Sequence, residues 1–249
     1  LSLLRELGRT QELVVRLRAL VDQPQPHPLF QLQLAELLVP DGRYRAEAYD
    51  LLRKAIRGGG SYGRCYLELG DLHWQRQERE RALRMYRFAA CLEEQDDYLA
   101  GRYFDASVVL GRTQEALQWL HVRFQRFGKQ SLQPALTLHR ALARLRRHSE
   151  GIGILEQAMK LRPDDSELTL AVVDALATTS SEYWPRAQTL LDSAKGSVSE
   201  RGWNESASQL AVVQGNWAQG LKFLQELLPR SPLSMGLRER IAELIQEVH

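Results

Sequence analysis

The sequence predicts an all-α protein built as a solenoid of antiparallel helix pairs. Apolar residues recur at helical spacing through nearly all of the 249 residues, and strand-like alternation is nearly absent. Short breaks rich in Gly, Pro and Asp separate segments of about a dozen residues, which favours antiparallel neighbours. The apolar pattern also repeats with a period of about 34 residues, which is typical of a solenoid.

The second helix of each predicted unit carries the clearest repeat. Its small packing position is occupied by Leu13, Ala48, Ala82, Ala116, Gly151, Ala187 and Gly220. Four residues later every unit has a large apolar residue, namely Leu17, Leu52, Tyr86, Leu120, Leu155, Leu191 and Leu224. Three residues further on, small or apolar residues such as Ala89 and Ala158 follow in all units but one, which has Arg123. A small residue allows two helices to approach and a large one fills the space beyond, so we expect this stripe to be buried.

The third unit defines the motif most fully. On its first helix Tyr66, Leu69, Gly70 and His73 stand at i, i+3, i+4 and i+7, and Ala82, Tyr86 and Ala89 follow on the second. This arrangement resembles the tetratricopeptide repeat, although His73 stands where that family usually has Tyr. The resemblance implies a right-handed superhelix whose first helices line a concave groove, and it implies that partners bind there.

The repeat predicts one solenoid over residues 1–249. The expected units are 1–27 (partial), 28–62, 63–96, 97–131, 132–165, 166–200, 201–234 and 235–249, the last acting as a capping helix. A closing proline is present only at Pro163 and Pro232. Because residues 1–8 already have a helical pattern and no Met begins the chain, we expect a fragment of a longer protein.

Composition and motifs exclude several function classes. The net charge of +2 argues against a dedicated nucleic-acid binder, and no apolar run is long enough to insert in a membrane. Residues 58–63 match G-x-G-x-x-G, but a helix rather than a strand precedes them, which favours a flexible turn. No catalytic set, metal site or cofactor site is predicted, and His73 and His139 are expected to fill core positions.

The two cysteines, Cys65 and Cys91, lie near adjoining ends of two antiparallel helices. A disulfide between them is possible at this spacing, and two buried free thiols are the favoured alternative.

Outward positions on the first helices predict the binding surface. One series consists of Glu36, Asp71, Asp105, Arg140, Asp174 and Gln209, with Trp74 beside it. Arg140, Arg144 and Arg147 stand at i, i+4 and i+7 and are expected to share one helix face. The groove is therefore predicted to be acidic with one basic patch, and Trp and Arg are common interface anchors. The alternative is that these residues form solvated ion pairs between adjacent units.

These features favour a non-catalytic scaffold that binds a partner protein or peptide in its groove. The chaperone-tail clamp of the family requires Lys and Asn at positions that here hold Leu67 and Asp71, Gly101 and Asp105, and Leu136 and Arg140, so chaperone C-termini are not expected partners. Two alternatives are the periplasmic repeat region of a bacterial exopolysaccharide export or envelope-assembly protein, bound to a polysaccharide-secretion component, and the recruiting arm of a larger enzyme. Bacterial cytoplasm and periplasm both remain open as locations.

Overall fold

The computed structural model describes residues 7–60, 62–228 and 235–248 of the chain. Within these ranges the backbone forms α-helices, two short 3-10 helices at Gly42–Tyr44 and Ser181–Tyr183, and no strand. The first seven helices are α1 (Thr10–Val21), α2 (Pro28–Leu38), α3 (Arg45–Arg57), α4 (Gly63–Gln75), α5 (Arg79–Leu92), α6 (Asp97–Val109) and α7 (Thr113–Phe127). The next seven are α8 (Gln133–Arg144), α9 (His148–Leu161), α10 (Ser166–Thr179), α11 (Trp184–Ala194), α12 (Glu200–Val213), α13 (Trp217–Gln225) and α14 (Met235–Val248). The predicted all-α fold is confirmed.

The sequence breaks become helix ends by ordinary capping chemistry. The carboxylate of Asp96 accepts a hydrogen bond of 3.0 Å from the backbone N–H of Leu99 and begins α6. Asp165 does the same for the N–H of Leu168 at 2.9 Å and begins α10. Gly111 follows α6 with a φ of 71°, a conformation that glycine adopts without strain. The predicted helix over residues 1–8 and the closing Pro232 fall largely or wholly outside the described residues.

Consecutive helices pack as pairs, and the pairs stack on one another. α2 packs on α3, α4 on α5, α8 on α9, α10 on α11 and α12 on α13, while α3/α4, α5/α6, α9/α10 and α11/α12 contacts join successive pairs. The chain divides into two compact units, residues 1–120 and 121–249, and the division falls within α7. Each unit therefore has its own series of packed helix pairs.

The repeated stripe of the second helices lies in the interior. The seven positions equivalent to Ala82, from Leu13 to Gly220, are all buried, and so are the seven large residues from Leu17 to Leu224. Arg123, the charged exception three residues beyond Leu120, is also buried. The same register is therefore buried in every helix pair, as expected for helices that each cover the preceding one.

The last helix, α14, buries one face against the preceding pair. Leu237, Ile241 and Leu244 form a core cluster with Leu224 and Leu227. Ile245 remains 39% exposed, so this helix is amphipathic.

The structure answers the question left open about the thiols. Cys65 is buried and Cys91 is exposed, and neither is bridged. The expectation of free cysteines holds, but the expectation that both are buried is wrong, because Cys91 lies on the outer side of α5. Burial raises the pKa of the Cys65 thiol to about 12 and makes it inert.

Gly70 on α4 sets the closest approach within the α4/α5 pair. A Cβ placed there would lie 2.5 Å from Cε1 and 2.6 Å from Cδ1 of the Tyr86 ring. Tyr86 is 1% exposed, so its ring has little space into which it could move. The two helices pack at this separation because position 70 has no side chain.

Gly70→Ala should destabilise the protein by about 1–3 kcal/mol, because the added methyl overlaps a buried ring. The measurement is the free energy of unfolding from urea titration followed by circular dichroism. Gly101→Ala on α6 is the matched control, since a Cβ there would meet nothing within 4 Å. The control should be stabilising by about 0.5–1 kcal/mol, because alanine favours the helix over glycine. Equal gains in stability for both variants would contradict the proposed role of Gly70.

Candidate functional site

The predicted surface positions of residues 1–120 lie on one side of α2, α4 and α6. Arg64, Glu68 and Asp71 stand at i, i+4 and i+7 on α4, and Tyr98, Arg102 and Asp105 stand at the same spacing on α6. With Glu36 of α2, these residues are called the first-helix face below. The face carries four carboxylates and two guanidinium groups.

Asp71 occupies the centre of a hydrogen-bonded triad. The hydroxyl of Tyr86 donates to its Oδ1 at 2.6 Å, and Nη2 of Arg102 forms an ion pair with the same oxygen. Nη2 of Arg102 also lies 3.1 Å from the Tyr86 hydroxyl oxygen. Burial, together with the hydrogen bond to Asp71, raises the pKa of the Tyr86 phenol. The predicted groove residue Asp71 thus links α4, α5 and α6.

Trp74 is half-buried beside this triad. Its ring centroid lies 6.2 Å from that of Tyr86. The guanidinium carbon of Arg79 lies 4.0 Å from the centroid of the Trp74 ring, which is a cation–π contact. Arg79 thus lies over the Trp74 ring.

Glu68 is a functional candidate that the sequence analysis missed. It is half-buried, and it makes no hydrogen bond or ion pair with the residues that the structure describes. Burial, followed by the negative charges of Asp71 and Glu36, raises the pKa of its carboxyl to about 7. The sequence could have indicated Glu68 by its position one turn before Asp71, because both residues then lie on the same helical stripe.

The neighbouring carboxylate, Glu36, already has a cationic partner. Nε of Arg64 donates to its Oε1 at 3.1 Å across the α2/α4 contact. Asp105 lies half-buried one turn after Arg102 on α6. The pairs Glu36–Arg64 and Asp71–Arg102 match the ion pairs between adjacent units that were the alternative to partner contact.

In residues 121–249, the three arginines of the predicted basic patch do not lie on one helix face. Arg140 and Arg144 are exposed and lie one turn apart on α8. α8 ends at Arg144, and Arg146 has a φ of 60°, which turns the backbone before α9 begins. The prediction that Arg147 continues the same helix face is therefore wrong.

Arg147 instead pairs with the helix that follows it. Its guanidinium donates two hydrogen bonds of 2.6 Å to the carboxylate of Glu150 in the first turn of α9. The hydrogen bond to Glu150 raises the pKa of Arg147 and lowers that of Glu150.

Asp174 of α10 is half-buried. Burial raises the pKa of its carboxyl, and the nearby Ser206 hydroxyl and Arg240 guanidinium partly offset this rise. A cavity of about 420 Å³ lies among α12, α13 and α14, and Gln209, Trp217 and Arg240 are among its lining residues. Gln209, a predicted groove position, thus borders this cavity.

Histidines and carboxylates are not arranged for metal chemistry in the described parts of the chain. No group of three or more His, Cys, Asp or Glu residues there could hold a metal ion. His73 and His139 are each 7% exposed, which confirms their expected core positions. Within the same residues, no helix is long and apolar enough to span a membrane.

Solved structures of other proteins share this arrangement of helix pairs. No protein-family model and no curated protein sequence matches the chain. Yeast Tom70 is similar over 89% of this chain and 46% of its own, with 13% identity and a TM-score of 0.58. A tetratricopeptide repeat protein from Parabacteroides merdae covers 95% of this chain and 91% of its own, with 13% identity and a TM-score of 0.53. A thermophilic TPR protein of Thermus thermophilus covers 74% and 99%, with 18% identity and a TM-score of 0.50.

The chain has the tetratricopeptide-repeat fold. In this fold the first-helix face is formed by the opening helices of successive pairs, while the second helices carry the buried stripe. The pattern of small and large residues that suggested the resemblance is the pattern that holds each pair together.

Glu68→Gln should make the protein more stable near neutral pH. The pKa of Glu68 is raised from 4.5 to about 7 on folding, so the folded state retains a proton that the unfolded state releases. The free energy of unfolding therefore falls as pH rises through this window, by on the order of 1–2 kcal/mol after solvent screening. The amide has no such titration, so the advantage of the variant should grow between about pH 5 and about pH 8 in urea unfolding.

Asp50→Asn on α3 is the control for this experiment, because Asp50 is an exposed carboxylate outside the first-helix face. Its stability difference from the wild type should change little between the two pH values. If the difference for Glu68→Gln were also constant with pH, the proposed titration of Glu68 would be wrong.

Proposed function

We propose that this chain is a non-catalytic scaffold that binds a partner protein or peptide along its first helices. The observation that carries the proposal is the contrast between the two sides of α4 and α6. The side toward the second helices is buried and largely apolar, whereas the first-helix face is charged and includes Tyr98, which is 60% exposed. An exposed aromatic residue among charged groups is typical of an interface.

In residues 121–249, the two exposed arginines of α8 form a basic candidate surface of their own. Arg140 and Arg144 project from one side of the helix at a spacing of one turn. Guanidinium groups bind carboxylates through paired hydrogen bonds, so this pair suits an acidic side chain or a C-terminus. Asp174 and Asp105 belong to the same predicted series.

The arrangement of polar groups favours binding over catalysis. Beside the first-helix face, the hydroxyl of the buried Tyr86 donates a hydrogen bond to Asp71 and has a raised pKa, so it is a poor nucleophile. Arg102 is held in the same triad. These side chains support a surface of fixed shape and charge.

Two alternatives would use this same face with different partners. They are the repeat region of a bacterial exopolysaccharide export or envelope-assembly protein and the recruiting arm of a larger enzyme. A polysaccharide-secretion component would indicate the first, and an enzyme domain or its substrate would indicate the second. The identity of the bound partner therefore decides between them.

Alanine substitution of Trp74, Asp105, Arg140 and Arg144, one at a time, tests the proposal. The immobilised chain would capture partners from a lysate of the source organism, and the affinity of each purified partner would then be measured by biolayer interferometry. We expect at least one variant to lose about tenfold or more in affinity, because interface energy is concentrated in few residues. Thermal unfolding of each variant would show that the fold is retained.

Arg84→Ala is the matched control, since Arg84 is exposed on the second helix α5. Its affinity should equal that of the wild type. Unchanged affinity in all four first-helix variants, with a partner bound, would refute the groove assignment.

A further inference from the structure

The first-helix face has a surplus of negative charge at one defined point. Arg64 is paired with Glu36 through a hydrogen bond of 3.1 Å, and Arg102 is held by Asp71. Both guanidinium groups are thus engaged with carboxylates other than Glu68.

Glu68 lies among groups from three helices. The charges that act on its carboxyl are Glu36 on α2, Arg64 and Asp71 on α4, and Arg102 on α6. The carboxylates raise the pKa of Glu68 and the arginines lower it, but burial and the carboxylates prevail. The histidine of α4, His73, faces α3 and α5, where its Nδ1 lies 2.8 Å from Glu78 and its ring packs on Tyr49. On this face, burial and the neighbouring carboxylates thus raise the pKa of Glu68 toward neutrality.

In the described parts of the chain, no group of three or more His, Cys, Asp or Glu residues could hold a metal ion as the counter-charge of Glu68. A side chain from a partner can supply the charge instead. Tyr98, one turn before Arg102 on α6, is exposed and offers an apolar surface for the aliphatic part of a long basic side chain.

We propose that Glu68 receives a lysine or arginine side chain from an extended partner segment that lies along α4 and α6. This inference rests on the proposed binding role of the first helices and specifies the chemistry of the partner. Folding has already removed much of the water from Glu68, so forming the pair requires little further desolvation of the carboxylate. The pair is then stronger than one formed between two fully hydrated groups.

Binding of a cation at Glu68 is coupled to the release of a proton from its carboxyl. With a pKa of about 7, the carboxyl of the free protein is about half protonated at neutral pH. A bound cation favours the ionised form, so binding releases the remaining proton. The affinity for a basic segment should therefore rise between about pH 6 and about pH 8, and it should be less sensitive to pH when residue 68 cannot ionise.

A phage-displayed library of random dodecapeptides, selected on the whole chain near pH 8, tests the inference. Peptides that contain histidine are set aside, and fluorescein-labelled copies of the others are titrated by fluorescence anisotropy. We expect enrichment of Lys or Arg at one peptide position. Glu68→Gln should weaken binding about tenfold, and Asp50→Asn should leave the affinity unchanged.

A double-mutant cycle locates the contact. Replacing the enriched basic residue of the peptide by glutamine should cost about tenfold with the wild-type chain and little with Glu68→Gln, because the pair is then already lost. The wild-type affinity should rise several-fold from about pH 6 to about pH 8, and the affinity of Glu68→Gln should stay nearly flat.

Two failures would have different meanings. Peptides that bind and are weakened by Trp74→Ala or Asp105→Ala, but carry no enriched basic residue and ignore Glu68→Gln, would overturn the cation site and leave the binding role intact. Selected peptides whose affinity is unaffected by every first-helix variant would overturn both proposals. Circular dichroism of each variant would confirm that the fold is unchanged.

Discussion

The close approach of α4 and α5 at Gly70 is the constraint on which the first-helix face depends. Because no Cβ stands at this position, the ring of Tyr86 packs directly against the α4 backbone. The ring lies against α4 at this point, and its hydroxyl donates a hydrogen bond to Asp71, the next residue on that helix. Arg102 of the next pair joins at the same oxygen. Packing inside one pair thus determines the position of charged groups on the surface.

This arrangement also explains why Glu68 differs from Asp71 and Glu36, the neighbouring carboxylates of the face. Asp71 is fixed by two donors, and Glu36 is paired across the α2/α4 contact. Glu68 stands on the same stripe and makes no hydrogen bond or ion pair with the described residues, and burial disfavours its charge. The electrostatic character of the face therefore follows from which carboxylates the neighbouring helices neutralise.

Most of the fold could be predicted from the sequence because the buried stripe repeats at fixed spacing and turn residues separate the helices. The site was harder to predict, because pairing between helices depends on side-chain reach. Arg147 fits a helical face in the sequence, but the turn at Arg146 places it in the cap of α9. Glu68 resembles any exposed glutamate until its burial is known. The sequence also did not show which thiol faces the core: Cys65 is buried and Cys91 is exposed.

The triad of Asp71, Tyr86 and Arg102 has a consequence for modularity. Its first two members belong to one predicted repeat, and the third belongs to the next. Other repeats have leucine at the position of Tyr86, which has no hydroxyl to offer. A single repeat moved elsewhere in the array would leave this phenol without its arginine. This interaction therefore favours the present order of the two neighbouring repeats. A segment transferred to another protein keeps the triad only if it includes both repeats.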